Sequence, residues 1–158
     1  MAENAGNRGL FCDLGGTLVK LDENRDLPAD ARGNIRIELL PGVAETLRPM
    51  RDHLIFIVTN QRGIARGRFT LEQVEAAIAE LDRQIGGILT AWEICPHGPE
   101  NGCGCRKPAA GMVLALASTY GIDLAESTMV GDQEVDEQCA TAAGVGRFVY
   151  ASDFFKTG

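Results

Sequence analysis

Short apolar segments alternate with amphipathic segments along most of the chain. Five of the apolar segments have the length and composition of buried β-strands. We predict strands at Gly9–Cys12, Leu54–Thr59, Ala91–Cys95, Thr128–Val130 and Arg147–Tyr150. Because strands that alternate with helices form βα units, we expect an α/β fold: a Rossmann-like parallel sheet of about five strands flanked by helices.

Helices are predicted where apolar residues recur every three or four positions. The predicted ranges are 41–52, 70–85, 111–120 and 134–143. Thr70 and Gln73 have the spacing of a capping box at the start of the second helix. Gly121 and Gly144 follow the third and fourth helices, where glycine commonly ends a helix. The chain therefore reads as one domain over residues 1–158, without a large cap domain.

Polar side chains follow three of the predicted strands at the point where each strand ends. Asp13 follows the first strand, Thr59 and Asn60 close the second, and Asp132 follows the fourth. Since ligands bind outside the carboxyl ends of strands in open parallel sheets, we expect these groups to meet at one edge. The polar, irregular segment Val19–Leu40 follows the first strand, and we expect it to form a short flap over that edge.

The residues at this edge suit the chemistry of a phosphate. Asp13 and Asp132 bring together carboxylates from separate strands, a ligand set that favours Mg²⁺ over Ca²⁺. A metal would neutralise phosphate charge and leave Asp13 free to attack phosphorus. Thr59 and the backbone N–H of Asn60 would bind phosphate oxygens, and Lys107 would screen the crowded anions.

A second candidate metal site lies in a short loop. Cys95 and His97 are separated by one residue, as are Cys103 and Cys105. Four nitrogen and sulfur ligands at this spacing predict a closed, structural Zn²⁺ site that stabilises a loop rich in glycine and proline. The other two cysteines are expected to be small buried side chains: Cys12 and Cys139.

Together these motifs resemble those of the haloacid-dehalogenase-like (HAD) phosphatase superfamily. Residues 59–67, TNQRGIARG, are similar to the second motif of bacterial D-glycero-D-manno-heptose 1,7-bisphosphate phosphatases. Residues 95–108 are similar to the zinc loop and third motif of that family, and the histidinol-phosphate phosphatases share the zinc loop. The resemblance extends from Gly9 to Tyr150, nearly the whole chain.

The resemblance implies roles for individual residues. Asp13 would be the nucleophile that forms an aspartyl phosphate, with Thr59 and Lys107 as its catalytic partners. The implied Mg²⁺ ligands are Asp13, the carbonyl of Gly15 and Asp132. The implied substrate-binding residues are Gly16, Asn60, Arg66 and Arg106.

Position 15 departs from the family pattern D-x-D-G-T, in which the second Asp is the general acid and base. Gly15 keeps the backbone carbonyl but lacks the carboxylate. Because positioned acid–base catalysis contributes about 10²–10⁴-fold, weakened activity is expected. Three residues of the flap are candidates to replace the missing group: Lys20, Asp22 and Glu23.

Charge and hydropathy narrow the class of protein. The formal net charge of −7 argues against a nucleic-acid partner, because such proteins usually carry a basic surface. No apolar run approaches the about 20 residues that span a membrane, so we expect no membrane partner. We also expect a cytoplasmic location and a monomer. Five cations near the predicted site would recognise a second phosphate or a sugar phosphate: Arg62, Arg66, Arg68, Arg106 and Lys107.

Two functions remain open from the sequence. The first is a Mg²⁺-dependent phosphomonoester hydrolase acting on a small phosphorylated metabolite, a sugar phosphate or bisphosphate, with activity weakened at Gly15. The alternative is a catalytically degenerate relative that binds a phosphorylated ligand or partner without turnover. A nucleic-acid 3′-phosphatase is a more remote possibility, which the net charge disfavours.

Overall fold

Alternate residues of the central strands point to opposite faces of one parallel sheet, as the strand period of two requires. The computed structural model describes residues 7–156. Its strands are β1 (Gly9–Cys12), β2 (Leu54–Asn60), β3 (Leu89–Cys95), β4 (Thr128–Gly131) and β5 (Arg147–Tyr150). Their order across the sheet is β3-β2-β1-β4-β5, and every neighbouring pair is parallel. The predicted five-stranded α/β fold is confirmed.

Helices cover both faces of the sheet. They are α1 (Val43–Leu47), α2 (Arg62–Ala65), α3 (Leu71–Gln84), α4 (Gly111–Tyr120), α5 (Glu134–Ala143) and α6 (Ala151–Phe154). The predicted capping box begins α3: the Thr70 hydroxyl accepts the Gln73 N–H at 3.1 Å, and Gln73 Oε1 accepts the Thr70 N–H at 2.9 Å. Gly121, with φ 63°, ends α4 where predicted.

The first predicted helix is shorter than expected. It was predicted to reach residue 52, but α1 ends at Leu47. Pro49 follows two residues later, and its ring restricts the preceding residue and supplies no N–H. The four-residue helices α2 and α6 were not predicted, because they are too short to show a periodic pattern.

Two apolar clusters lie against the sheet, one on each face. Leu10 and Ile57 belong to the cluster that packs against α1 and α3. Phe11 and Phe56, whose ring centroids lie 5.0 Å apart, belong to the cluster that packs against α4 and α5. Cys12 and Cys139 are fully buried, as predicted. The sheet is therefore the middle layer of three, and its carboxyl edge holds the polar residues described below.

The segment between β1 and α1 forms the flap. Isolated bridges join Val19 to Leu39 and Ala29 to Ile35, so the segment doubles back on itself. Within residues 7–156 no large cap domain is present, in agreement with the prediction. None of the helices in this range is long and apolar enough to cross a membrane.

Candidate active site

A cleft of about 290 Å³ opens at the carboxyl ends of the central strands. Strand β1 lies between β2 and β4, so the residues that follow these three strands converge. The cleft is lined by Asp13, Thr59, Asn60 and Asp132, as the positions of the strand ends predicted. Lys107, which is distant in sequence, also lines it.

Lys107 is the centre of the charge cluster. Its Nζ donates to Asp13 Oδ1 at 2.9 Å, to Asp136 Oδ1 at 2.8 Å and to the Val58 carbonyl at 2.9 Å. These contacts use all three donors of the ammonium group, and the Lys107 residue is only 3% exposed. Burial opposes the charge, but the carboxylates of Asp13 and Asp136 outweigh it and raise the pKa of Lys107 above its usual value.

Asp136 holds this arrangement from the start of α5. Its Oδ2 accepts the backbone N–H groups of Asp132 and Gln133, both at 3.1 Å. Burial raises the pKa of Asp136 and also that of Asp13, while the Lys107 ammonium opposes both shifts. Asp136 thus fixes the loop that carries Asp132 and positions Lys107.

The carboxylates at the cleft form a candidate cation site. One oxygen each from Asp13, Asp132 and Asp136 lies within 4.8 Å of the others. Both Asp136 oxygens are bound, by Lys107 and by two N–H groups, whereas Asp13 and Asp132 each keep one oxygen outside their ion pairs and are therefore the available ligands. Hard oxygen donors of this kind suit Mg²⁺.

An arginine from the flap contacts this site. Arg25 Nη2 lies 2.8 Å from Asp132 Oδ2, and the Arg25 side chain is 54% exposed. The backbone at Arg25 has φ 60°, an uncommon value for a residue with a side chain. The Asp22 carboxylate shapes this turn by accepting the N–H groups of Asn24 at 2.8 Å and Asp26 at 3.0 Å. Sequence reasoning missed Arg25, since nothing in its neighbourhood marks it.

Asn60 and Gln61 position the catalytic candidates beside them. The Asn60 side chain donates to the Lys107 carbonyl at 3.2 Å and accepts the Lys107 N–H at 3.0 Å. Gln61 Nε2 donates to Thr59 Oγ1 at 2.9 Å. Thr59 and Lys107 are therefore fixed by side chains at the end of β2 and directly after it, and the contribution of Gln61 was not predicted.

Gly15 lies against a leucine of the flap. A Cβ atom at position 15 would be 2.4 Å from Leu21 Cδ2, closer than such contacts occur. The φ of Gly15 lies outside the left-handed region that favours glycine, so the backbone itself accepts other residues. The Leu21 side chain therefore occupies the space that a larger residue at position 15 would need.

The predicted replacements for the missing acid–base group are engaged elsewhere or lie outside the cleft. Lys20 forms an ion pair with Glu38 at 2.7 Å. Asp22 accepts two backbone N–H groups, which together with Arg68 hold the pKa of its carboxyl below the usual value. Glu23 is exposed and does not line the cleft.

The basic residues near the site divide into two groups. Arg62 and Arg106 line the cleft. Arg66 is exposed and is not among the lining residues, and Arg68 binds Asp26 Oδ2 at 2.9 Å. Of the two arginines that the resemblance implies as substrate-binding residues, Arg66 and Arg106, only Arg106 lines the cleft.

Gly16 approaches a carboxylate closely. It has φ 82°, and a Cβ atom there would lie 2.3 Å from Asp132 Oδ2, so a side chain would displace Asp132. The Gly16 N–H donates to the Val19 carbonyl at 2.8 Å. Its small size is what allows the loop after β1 to meet the loop after β4.

The four predicted zinc ligands converge. Cys105 Sγ lies 3.0 Å from Cys95 Sγ, 3.4 Å from Cys103 Sγ and 3.4 Å from His97 Nδ1. Cys95 Sγ lies 3.5 Å from both Cys103 Sγ and His97 Nδ1. A tetrahedron with Zn–S bonds of about 2.3 Å has edges of about 3.8 Å, so these atoms fit a zinc ion after small shifts.

The zinc-ligand loop is linked to the cleft. Arg106 follows Cys105 directly, and its Nη1 donates to the His97 carbonyl at 3.1 Å. Burial opposes ionisation of Cys103, but hydrogen bonds from Cys105 and from the backbone of Arg106 outweigh it and lower the pKa of the Cys103 thiol to about 6. A thiolate is the form that binds zinc.

Known proteins are similar to this chain in sequence and in fold. The sequence model of the HAD-hydrolase-like family matches residues 104–157. The D-glycero-beta-D-manno-heptose-1,7-bisphosphate 7-phosphatase of Bordetella bronchiseptica is 37% identical over 126 residues, which cover 77% of this chain and 70% of that enzyme. The enzyme of the same name from Salmonella typhi is 35% identical, over 87% of this chain and 76% of its own.

A solved structure agrees with these relatives. The crystal structure of D,D-heptose 1,7-bisphosphate phosphatase from B. bronchiseptica, complexed with magnesium and phosphate, superposes with a TM-score of 0.76 at 32% identity. The match covers 89% of this chain and 78% of that one. The chain therefore belongs to the haloacid-dehalogenase-like superfamily and, within it, to the family of the D-glycero-D-manno-heptose 1,7-bisphosphate phosphatases.

Proposed function

We propose that the protein is a Mg²⁺-dependent phosphomonoester hydrolase with activity weakened at Gly15. Its substrate is a small phosphorylated metabolite, a sugar phosphate or bisphosphate. The observation that carries the proposal is the contact between Asp13 and Lys107 at 2.9 Å, with Asp132 at the same edge of the cleft. The names of the relatives, which are heptose bisphosphate phosphatases, support the substrate class.

In this proposal Asp13 attacks phosphorus and forms an aspartyl phosphate. Lys107 holds Asp13 in place and screens the charge on the transferring group. Thr59 and the backbone N–H of Asn60 bind phosphate oxygens, and Arg106 contacts the substrate from the zinc-ligand loop. The small size of Gly16 lets the substrate approach the backbone closely. Substrate binding by Arg66, which lies outside the cleft, stays a prediction.

Two metal ions belong to the proposal. Asp13, Asp132 and the carbonyl of Gly15 would hold Mg²⁺, which would neutralise phosphate charge. Support for this ion comes from the solved relative, whose structure contains magnesium and phosphate. The four residues of the zinc-ligand loop would hold Zn²⁺ in a closed site that stabilises the loop and orients Arg106.

A catalytically degenerate, phosphate-binding protein is the second candidate. The observation that favours it is the pair formed by Gly15 and Leu21, which leaves no carboxylate at the acid–base position. Such a protein would bind a phosphorylated ligand through Arg106 and Lys107 without releasing phosphate.

Phosphate release from a panel of phosphorylated metabolites, including heptose 1,7-bisphosphate, distinguishes the two functions. We expect slow release that requires Mg²⁺ and is abolished in Asp13→Asn. Binding without release, equal in the natural protein and in Asp13→Asn, would support the degenerate function. Release that persists in Asp13→Asn would contradict the assignment of the nucleophile.

A further inference from the structure

The space beside Gly15 is filled by apolar atoms rather than left for water. Leu21 Cδ2 would lie 2.4 Å and Leu21 Cγ 3.2 Å from a Cβ atom at position 15. Leu21 and Gly15 both line the cleft, and Leu21 also packs against the core cluster on the side of α1 and α3. A glycine alone would leave room for a water molecule, whereas the Leu21 methyl groups occupy that position and offer no hydrogen-bond partner.

The carboxylates that line the cleft are all engaged. Asp13 and Asp136 bind Lys107, and Asp132 binds Arg25. Asp26 binds Arg68 at 2.9 Å and lies 3.6 Å from Arg62 Nε. Among the described residues, the cleft therefore presents no carboxylic acid that could give a proton to a departing oxygen or take one from water.

This arrangement limits the leaving groups that the site can expel. An alkyl phosphate releases an alkoxide, which needs a proton as it departs. An acyl phosphate releases a carboxylate, which departs as a stable anion without one. The absence of an acid therefore slows phosphoryl transfer from alkyl phosphates and does not slow transfer from acyl phosphates.

From these observations we propose that the site accepts a phosphoryl group from acyl phosphates and retains it on Asp13. The inference rests on the proposed function, because it uses Asp13 as the nucleophile with Mg²⁺ present. In the transfer step an Asp13 carboxylate oxygen forms a bond to phosphorus, and the bond from phosphorus to the acyl oxygen breaks. The electron pair leaves with the carboxylate product, and no proton moves.

The first step is near balance because both sides are of one chemical kind. The aspartyl phosphate and the donor are each mixed anhydrides of a carboxylic acid and phosphoric acid. The second step is different: a water oxygen must bond to phosphorus, the bond to Asp13 must break, and the proton of the water must reach a base. Gly15 supplies no base and Leu21 fills the position beside it where a water could otherwise be held, so the aspartyl phosphate persists.

Intact-protein mass spectrometry tests the donor class. The protein is incubated with Mg²⁺ and either acetyl phosphate or glycerol 3-phosphate. We expect acetyl phosphate to add the mass of one phosphoryl group to the natural protein and to leave Asp13→Asn unmodified. Glycerol 3-phosphate should modify less than a tenth as much protein in the same time, given the size of acid–base effects. Equal modification by the two donors would overturn the inference.

The lifetime of the phosphorylated protein tests the role of Leu21. After the donor is removed, Leu21→Ala should lose the phosphoryl group several-fold faster than the natural protein. The double variant Gly15→Asp/Leu21→Ala should lose it about tenfold faster or more. Leu39→Ala is the matched control, because Leu39 is also a partly buried flap leucine packed on the same cluster but does not line the cleft. A lifetime unchanged in Leu21→Ala would overturn the retention that we infer.

The failures of the two proposals are distinguishable. Steady release of phosphate from glycerol 3-phosphate at about 10 s⁻¹, a typical enzyme rate, would overturn this inference and support the phosphatase. Neither phosphate release nor protein modification from any donor would overturn both. If the double variant does not fold, Leu21→Ala and the comparison of the two donors still decide the matter.

Discussion

Arg25 of the flap lies in hydrogen-bond contact with Asp132, the carboxylate that directly follows β4. The 2.8 Å distance between Arg25 Nη2 and Asp132 Oδ2 makes the guanidinium a competitor for the negative charge that would attract a cation. In the proposed Mg²⁺ site, binding of the ion through Asp132 Oδ2 would require Arg25 to release that oxygen. The flap and the proposed metal site would therefore be coupled through one ion pair.

Replacing Arg25 with alanine should increase the affinity for Mg²⁺. Because an exposed ion pair contributes about 0.2–1 kcal/mol, we expect an increase of about 1.4- to fivefold, measured by isothermal titration calorimetry. Arg36→Ala, which changes an exposed flap arginine outside the cleft, should leave the affinity unchanged. Weaker Mg²⁺ binding in Arg25→Ala would contradict the competition.

Replacing Lys107 with methionine should destabilise the fold. Loss of the buried ammonium leaves Asp13 and Asp136 without their partner, which costs about 3–5 kcal/mol of unfolding free energy. Urea denaturation without added Mg²⁺ measures the loss. Lys20→Met, which breaks an exposed pair with Glu38, should cost no more than about 1 kcal/mol.

A second variant checks the cause of that loss. Lys107→Met combined with Asp136→Asn removes one of the two stranded carboxylates and should recover part of the stability. Equal stability of Lys107→Met and Lys20→Met would show that the buried cluster is not held by its charges.

Protein purified without added metal should contain about one equivalent of zinc, measured by elemental analysis. Cys103→Ser and Cys105→Ser should lose most of it, because serine oxygen replaces a thiolate ligand. Cys139→Ser, which changes a buried cysteine of α5, should retain the metal. A natural protein with far less than one equivalent would refute the zinc site.

Replacing Arg106 with alanine should weaken the binding of phosphorylated ligands selectively. A charged hydrogen bond contributes about 1.5–3 kcal/mol, so we expect about a tenfold loss or more for fructose 1,6-bisphosphate in the Asp13→Asn background. Binding of fructose should change little, and Arg36→Ala should behave like the parent because Arg36 is exposed on the flap and lies outside the cleft. Equal losses for sugar and sugar bisphosphate would count against phosphate recognition by Arg106.

The sequence was sufficient to predict the sheet and the convergence of residues at its edge. Leu54 to Thr59 is a continuous apolar run that only a buried strand explains, and the positions of Asp13 and Asp132 follow from the topology. The end of α1 was misplaced because the weak apolar pattern continues past Pro49.

Contacts between side chains that are distant in the sequence could not be predicted from it. Leu21 and Arg25 belong to a polar segment without periodicity, and only the folded turn shows that one approaches Gly15 and the other Asp132. Gln61 likewise carries no signal of its contact with Thr59. Such pairs depend on loop conformation, which residue types specify only weakly.

The three contacts of the Lys107 ammonium have a consequence for how the chain can change by mutation. Asp13, Lys107 and Asp136 hold one another in the interior, so the cost of losing any of them is a folding cost, independent of turnover. A glycine at position 15 has no such folding cost, because the side chain of Leu21 packs into the space beside it. A lineage released from selection for catalysis would therefore keep the charge cluster and change first at position 15, which makes that position a better indicator of activity than Asp13.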